Sequence, residues 1–270
     1  MLKRFVTSIA LMLGASLSSA AAAQTSDSWQ FQAIIYGYLP DIGGTTSFPA
    51  GGTGSSINVN ADQILSNLNF AFMGTLEARK GRWGLFTDVL YLDVSGDKNG
   101  SRDFSLGGLN LPANVSSNLD LKLQGALWTI AGEYAVIQDP STLLYVVGGA
   151  RLFDIKQSLS YALTADVGPF TGPTRSGSTD VNLSYWDAIV GVKGRVTFGD
   201  RREWFVPYYA DVGTGESQLT WQVFGGIGYQ FNSWGSVLAG WRYIDYNFKS
   251  SSKVDSLDFN GPMIGIAFNW

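Results

Sequence analysis

Between Trp186 and Phe198 the even positions read Trp186, Ala188, Val190, Val192, Gly194, Val196 and Phe198, and the odd positions read Asp187, Ile189, Gly191, Lys193, Arg195 and Thr197. A period of two sends these sets to opposite faces of one β-strand. A soluble β-sandwich would bury the apolar face and interdigitate its bulky residues. Here the apolar face ends in aromatics on both sides, and the other face carries charge and glycine. Apolar-out, polar-in strands bounded by aromatics are those of a transmembrane barrel. Leu219–Phe231 repeats the pattern, with Leu219, Trp221, Val223, Gly225, Ile227, Tyr229 and Phe231 set against Thr220, Gln222, Phe224, Gly226, Gly228 and Gln230.

Composition narrows the alternatives. Only 15% of the 270 residues are charged while 14% are aromatic, against a charged share of about 25% in soluble domains. No window approaches the roughly 18 unbroken apolar residues of a transmembrane helix. The chain has no cysteine and no histidine. That removes disulfides, Cys/His zinc sites and the usual serine or cysteine hydrolase triads. No metal and no cofactor is expected. Residues Met1–Ala23 carry a basic start (Lys3, Arg4), a short apolar stretch and the ending Ala21-Ala22-Ala23. They read as a secretory signal peptide cut before Gln24, leaving 24–270 as a single barrel domain. Without the two bases of that segment the net charge falls from −4 to −6, which argues against nucleic acid as a partner.

The alternating runs predict an all-β fold, a closed antiparallel up-and-down barrel of about ten strands, with eight or twelve as alternatives. They lie near Trp29–Leu39, Asn69–Lys80, Trp83–Ser95, Leu119–Val136, Leu143–Gln157, Asp180–Phe198, Trp204–Gly213, Gln218–Phe231, Trp234–Asn247 and Leu257–Trp270. Connections of two to four residues alternate with long ones at Pro40–Leu68, Gly96–Asn118, Ser158–Thr179 and Lys249–Ser256; only Thr214–Ser217 is short among the latter. Short periplasmic turns opposite longer outer loops are an outer-membrane signature. Within the first long loop, Asp62–Leu68 has the makings of two helical turns, with Asn60 or Asp62 as N-cap. Pro207 and Pro262 fall inside strands, where a missing N–H interrupts a ladder; a bulge is expected beside Gly261-Pro262.

Two groups of polar residues are candidates for function. Polar-face positions predict a lumen charge network of Glu77, Arg79, Arg82, Asp88, Arg151, Asp187, Lys193, Arg195 and Arg242. The expected pairings are Glu77 with Arg79, Asp88 with Arg82, and Asp187 with Lys193 and Arg195. Three outward-running strands begin near a tryptophan and end in Tyr-x-Asp (Tyr91–Asp93, Tyr209–Asp211, Tyr243–Asp245), with Leu152-Phe153-Asp154 as a looser copy. The tyrosines are expected in the outer interface belt. Asp93, Asp154, Asp211 and Asp245 become candidates for a carboxylate collar at the outer mouth. Strand parity opposes a uniform ring, because Asp93 shares its face with Trp83 whereas Asp211 and Asp245 lie opposite Trp204 and Trp234.

On these strands, the leader and the ending Ile264-Gly265-Ile266-Ala267-Phe268-Asn269-Trp270, the chain resembles the small outer-membrane β-barrel proteins of Gram-negative bacteria, the OmpA-like and OmpW-like superfamily. The resemblance implies residence in the outer membrane among lipids and lipopolysaccharide. It also implies an assembly signal for the outer-membrane assembly machinery, formed by Ile264, Ile266, Phe268 and Trp270. Barrel enzymes of similar size rely, as that group is known, on a histidine base; this chain has none and is expected not to be an enzyme. The expected function is a small channel or transport-related barrel with a narrow charge-paired lumen. The alternative is a structural or surface-binding barrel without transport. Oligomeric state is left open.

Overall fold

The computed structural model describes residues 28–46, 55–99, 115–167, 170–249 and 254–270; the expected signal segment lies outside them. The chain forms β1 (Gln30–Tyr38), β2 (Asp41–Thr46), β3 (Ser55–Val59), a short helix α1 (Ala61–Ser66), β4 (Leu68–Lys80), β5 (Trp83–Asn99), β6 (Val115–Gln138), β7 (Thr142–Val167), β8 (Phe170–Phe198), β9 (Trp204–Gly215), β10 (Leu219–Gln230), β11 (Gly235–Asn247) and β12 (Val254–Asn269). Ten of these, β1 and β4–β12, make the barrel wall, each antiparallel to the next. The wall closes where Gln32–Tyr38 pairs with Asn269–Met263.

The expected strands are all present, and the sheet holds twelve because β2 and β3 add a hairpin to the outer half of β12. β1 and β2 run along β12 as one interrupted strand. The interruption is Leu39-Pro40, opposite Gly261-Pro262, where the Leu39 N–H donates to the Pro262 carbonyl at 3.1 Å. The expected bulge at Gly261-Pro262 is therefore corrected: β12 keeps one register with β11 through this point. Pro207 sits where the β9–β10 ladder skips from Tyr208 to Phe205, so its missing N–H falls in a gap of that ladder.

Tight turns of two to five residues join β4 to β5, β6 to β7, β8 to β9 and β10 to β11. Gly81 turns with φ +61° and Gly199 with φ +92°, left-handed conformations that cost an L side chain energy. The first long loop holds α1, which begins one residue before Asp62 and ends before Leu68. The Asn60 N–H donates to Gln63 Oε1 at 3.1 Å, and Asp41 Oδ1 accepts the Ala61 N–H at 2.9 Å. Ile64 is buried at the outer end of the wall.

The other long loops differ from expectation. The described parts of Gly96–Asn118 and Ser158–Thr179 continue the ladder: β5 pairs with β6 out to Asn99↔Asn118, and β7 with β8 out to Val167↔Phe170. β6, β7 and β8 reach 24, 26 and 29 residues, against about 9–11 needed to cross a bilayer. These strands form a ribbon beyond the barrel.

The exterior is apolar. Ile264 is 68% exposed and Val190 62%, a waste of apolar surface in water and a requirement in lipid. Two aromatic girdles bound this belt. At the turn end Phe31 stacks between Trp29 and Trp270, Trp83 lies against Tyr134, and Trp204 against Tyr229. At the outer end Trp128 meets Trp186, Trp221 meets Tyr243, and Phe70 meets Tyr91. On β8 the girdle residues Phe198 and Trp186 are twelve positions apart. That is about 40 Å of strand, or roughly 30 Å of height at the usual tilt near 40°. Tyr209 departs from the expected outer belt: it faces the lumen beside Phe86, because it has the opposite parity to the outward Trp204.

Candidate functional site: the layered lumen

Inward side chains stack in three layers. Nearest the outer end is an aromatic and aliphatic plug. Phe153 packs on Tyr246 (ring centroids 4.6 Å) and Phe248 (5.6 Å), among Tyr38, Ile244 and Leu257. The Tyr38 hydroxyl donates toward the carbonyls of Arg242 (3.1 Å) and Phe259 (2.9 Å), which leaves no orphan at its polar tip. Tyr246 and Ile244 are fully buried.

Below the plug a polar chain crosses the barrel. Thr75 donates to Asp88 Oδ1 at 2.8 Å, and Arg242 Nη2 donates to Asp88 Oδ2 at 2.9 Å. Arg242 also donates to the Tyr36 hydroxyl (3.0 Å) and to Gln222 Oε1 (2.9 Å). Gln222 Nε2 donates to Asp211 Oδ2 at 2.9 Å, Arg151 pairs with Asp211, and Arg151 Nε donates to Thr129 Oγ1 at 3.1 Å. Eight strands, β1, β4–β7 and β9–β11, are tied together in this way. Gly191 lies on the inward face beside this layer, where a Cβ would run into the Asp211 backbone.

The third layer lines a cavity of about 180 Å³ toward the turn end. Lys193 binds both Glu77 and, at 2.7 Å, Glu133. Arg79 Nε contacts Glu77 Oε1 at 2.5 Å, and its Nη1 donates to the Tyr145 hydroxyl at 2.8 Å. The Lys193 ammonium also lies 4.4 Å from the Phe86 ring centre. Arg195 has no carboxylate partner among the described residues; its guanidinium lies 5.8 Å from the Phe205 ring centre, and its Nε is buried without an acceptor.

The structure brings Glu77, Arg79, Lys193 and, through a different partner, Asp88, Arg151 and Arg242 into this interior. Several expected pairings are replaced. Arg82 lies in the β4–β5 turn, six residues from Asp88 along one strand, or about 20 Å at 3.3 Å per residue; Asp88 takes Arg242 instead. The same distance separates Asp187 from Lys193, and Arg195 is farther still. Asp187 is buried near the outer end, where its Oδ1 accepts the Ser217 N–H at 2.9 Å.

The four-membered collar is also corrected. Asp211 points into the lumen and pairs with Arg151. Asp93 accepts hydrogen bonds from Gln124 (3.0 Å) and Asn69 (3.3 Å) on the outer surface. Asp245 accepts from Asn247 at 2.9 Å. Asp154 and Asp245 have odd-even positions opposite to the inward Phe153 and Ile244 of their strands, so strand parity scatters the four over both faces.

Glu133, Gln222, Thr129 and Tyr36 were not among the expected network members. Alternation would have found Glu133, since Leu127, Thr129, Ala131, Glu133 and Ala135 form one buried row on β6. Ile264, Ile266, Phe268 and Trp270 form the outward row of β12, opposite the buried Ala267.

Arg195 has no carboxylate partner among the described residues, so its removal breaks no ion pair and takes away a buried donor that lacks an acceptor. Arg195→Gln is expected to lower the unfolding free energy by no more than about 1 kcal/mol. Urea denaturation of the detergent-folded barrel checks this, and a loss above about 2 kcal/mol would contradict it.

An apolar exterior with two aromatic girdles, a polar lumen and ten closed antiparallel strands define the class of fold: an up-and-down β-barrel of the outer-membrane type. Its fold is similar to that of the outer membrane protease OmpT from Escherichia coli, with a TM-score of 0.53, 9% identity, and coverage of 93% of this chain and 100% of that one. Weaker likenesses link it to Ail, the attachment invasion locus protein of Yersinia pestis (TM-score 0.31, 11% identity, 90% and 98% covered), and to Neisserial surface protein A (0.29, 12%, 89% and 96%). No protein-family model matches the chain, and no curated protein matches it in sequence. At such identities the likeness is one of fold. It corrects the expectation of a non-enzyme: OmpT, a barrel of similar fold, is a protease, so the fold is compatible with catalysis.

Proposed function

We propose that the protein is a non-conducting outer-membrane barrel that presents the β5–β8 ribbon as a recognition surface on the outer side. The observation that carries this reading is the contrast between a plugged lumen and a ladder that outruns the membrane. Leu152 is level with Trp128 and Trp186, and β7 continues from it to Val167. Those fifteen further residues are about 50 Å of strand at 3.3 Å each. A barrel that served only as an anchor would need none of it. In this reading outer-membrane lipids cover the apolar belt and lipopolysaccharide surrounds the base of the ribbon. The outward row from Ile264 to Trp270 serves insertion by the assembly machinery.

A transport-related role is the second reading, favoured by the charged cavity at the turn end. Planar-bilayer recording separates the two. The expected result is no unitary current from the folded protein, and discrete conductance steps would overturn the reading. The ribbon is tested by a single Asp166→Cys substitution, in a chain that has no other cysteine. A membrane-impermeant maleimide is expected to label it on intact cells. Labelling only after the outer membrane is broken would place the ribbon on the wrong side.

A further inference from the structure

The cavity at the turn end has one positive charge too many. Glu77 and Glu133 are matched by Arg79 and Lys193. Arg195, on the same inward row of β8 as Lys193, is left over. Among the described residues no carboxylate forms an ion pair with it, its guanidinium lies over the Phe205 ring, and its Nε is a buried donor without an acceptor. A buried charged donor left unsatisfied is costly, whereas in the polar layer above Arg151 and Arg242 each pair with an aspartate.

The space beside Arg195 indicates what would complete it. Phe86, Phe205, Leu143 and Leu238 line the cavity with apolar surface, interleaved with polar groups such as Glu77 and Gln222. Solvent reaches the interior, since Arg79 and Lys193 each keep 20% side-chain exposure. At about 30 Å³ per water, 180 Å³ has room for roughly six waters, below the 300–1,000 Å³ of pockets for larger ligands. A guanidinium favours a planar carboxylate, which it grips through two parallel N–H bonds. One surplus charge matches one negative charge, and the neighbouring glutamates repel a second.

We propose that this cavity is a binding site for a small monocarboxylate with a flat apolar body, held by Arg195 through the carboxylate and by the apolar lining of Phe205, Leu143 and Leu238 through the ring. The site lies at the opposite end of the barrel from the ribbon and does not depend on the ribbon's role.

Benzoate is the probe, titrated calorimetrically into the folded barrel in detergent. Acetate, benzyl alcohol and inorganic phosphate serve as comparisons, each against wild type, Arg195→Gln and Arg195→Lys. Saturable benzoate binding is expected in wild type, weakened at least tenfold by Arg195→Gln and less by Arg195→Lys. Benzyl alcohol and acetate are each expected to bind more weakly than benzoate. Absence of benzoate binding to the wild type would overturn the proposal, as would affinity unchanged in Arg195→Gln. Phosphate or acetate binding as tight as benzoate would overturn the assignment of ligand class. A fold check by heat-modifiable gel mobility accompanies each variant. Failure of Arg195→Gln to fold while Arg195→Lys folds and binds benzoate no better than acetate would also overturn it.

Discussion

Replacing Arg151 with methionine is expected to lower the unfolding free energy by about 3–5 kcal/mol, the range for removing one partner of a buried ion pair. Arg151 is fully buried. It pairs with Asp211, bonds Thr129, and stands directly across from Asp187 in the β7–β8 register. Without it, Asp211 keeps the Gln222 amide but loses its countercharge. The penalty belongs to the stranded carboxylate more than to the lost attraction. The double variant Arg151→Met/Asp211→Leu should therefore recover much of the loss, because residues in one network are not additive. Urea denaturation of the four members of this cycle measures it. A single-variant loss under about 1 kcal/mol, or a double variant no better than the single, would contradict the account.

The plug carries the second large effect. Phe153→Ala is expected to cost about 3–5 kcal/mol, since a buried ring is removed from close-packed surroundings that relax only in part. Phe153 is 2% exposed and touches Tyr246, Phe248 and Phe259. Despite that cost the variant should stay silent in a planar bilayer. The Arg242–Gln222–Asp211–Arg151 layer beneath the plug remains in place and closes the lumen a second time. Ionic current in Phe153→Ala would mean that the plug alone closes the lumen. A stability loss below 1 kcal/mol would mean that the outer lumen is loosely packed.

The wall of the barrel was legible in the sequence. Each strand residue faces either lipid or lumen, so a wrong polarity is costly at every position, and alternation accumulates along each strand. Trp186–Phe198 shows this, with outward Val190 and inward Asp187 and Ile189 on neighbouring positions. The tight turns were legible for a similar local reason, as at Gly81 and Gly199. The helix before β4 was marked by Asn60 and a short run with no strand alternation. The ribbon was not legible. Outside the bilayer nothing enforces apolar-polar alternation, and the pairing of β7 with β8 out to Val167 is made by backbone groups that every sequence supplies.

The candidate sites divide along the same line. Glu77 and Arg79 are two residues apart on one face, about 7 Å along the strand, so their contact follows from sequence spacing. Arg242 meets Asp88 across 154 positions of chain, and Lys193 meets Glu77 across 116. Those pairings depend on strand stagger and on which residues share a height in the lumen, quantities that arise only when the sheet closes. The same closure drew Asp211 from an expected outer collar to Arg151 and left Arg195 without a carboxylate. The amino-acid sequence by itself determined which side chains enter the lumen, because a two-residue period and a lipid boundary act on each residue singly. Which charge meets which, and which one is left over, was decided by the closed barrel, because an ion pair needs two groups within a few ångströms and only the tertiary fold sets that distance.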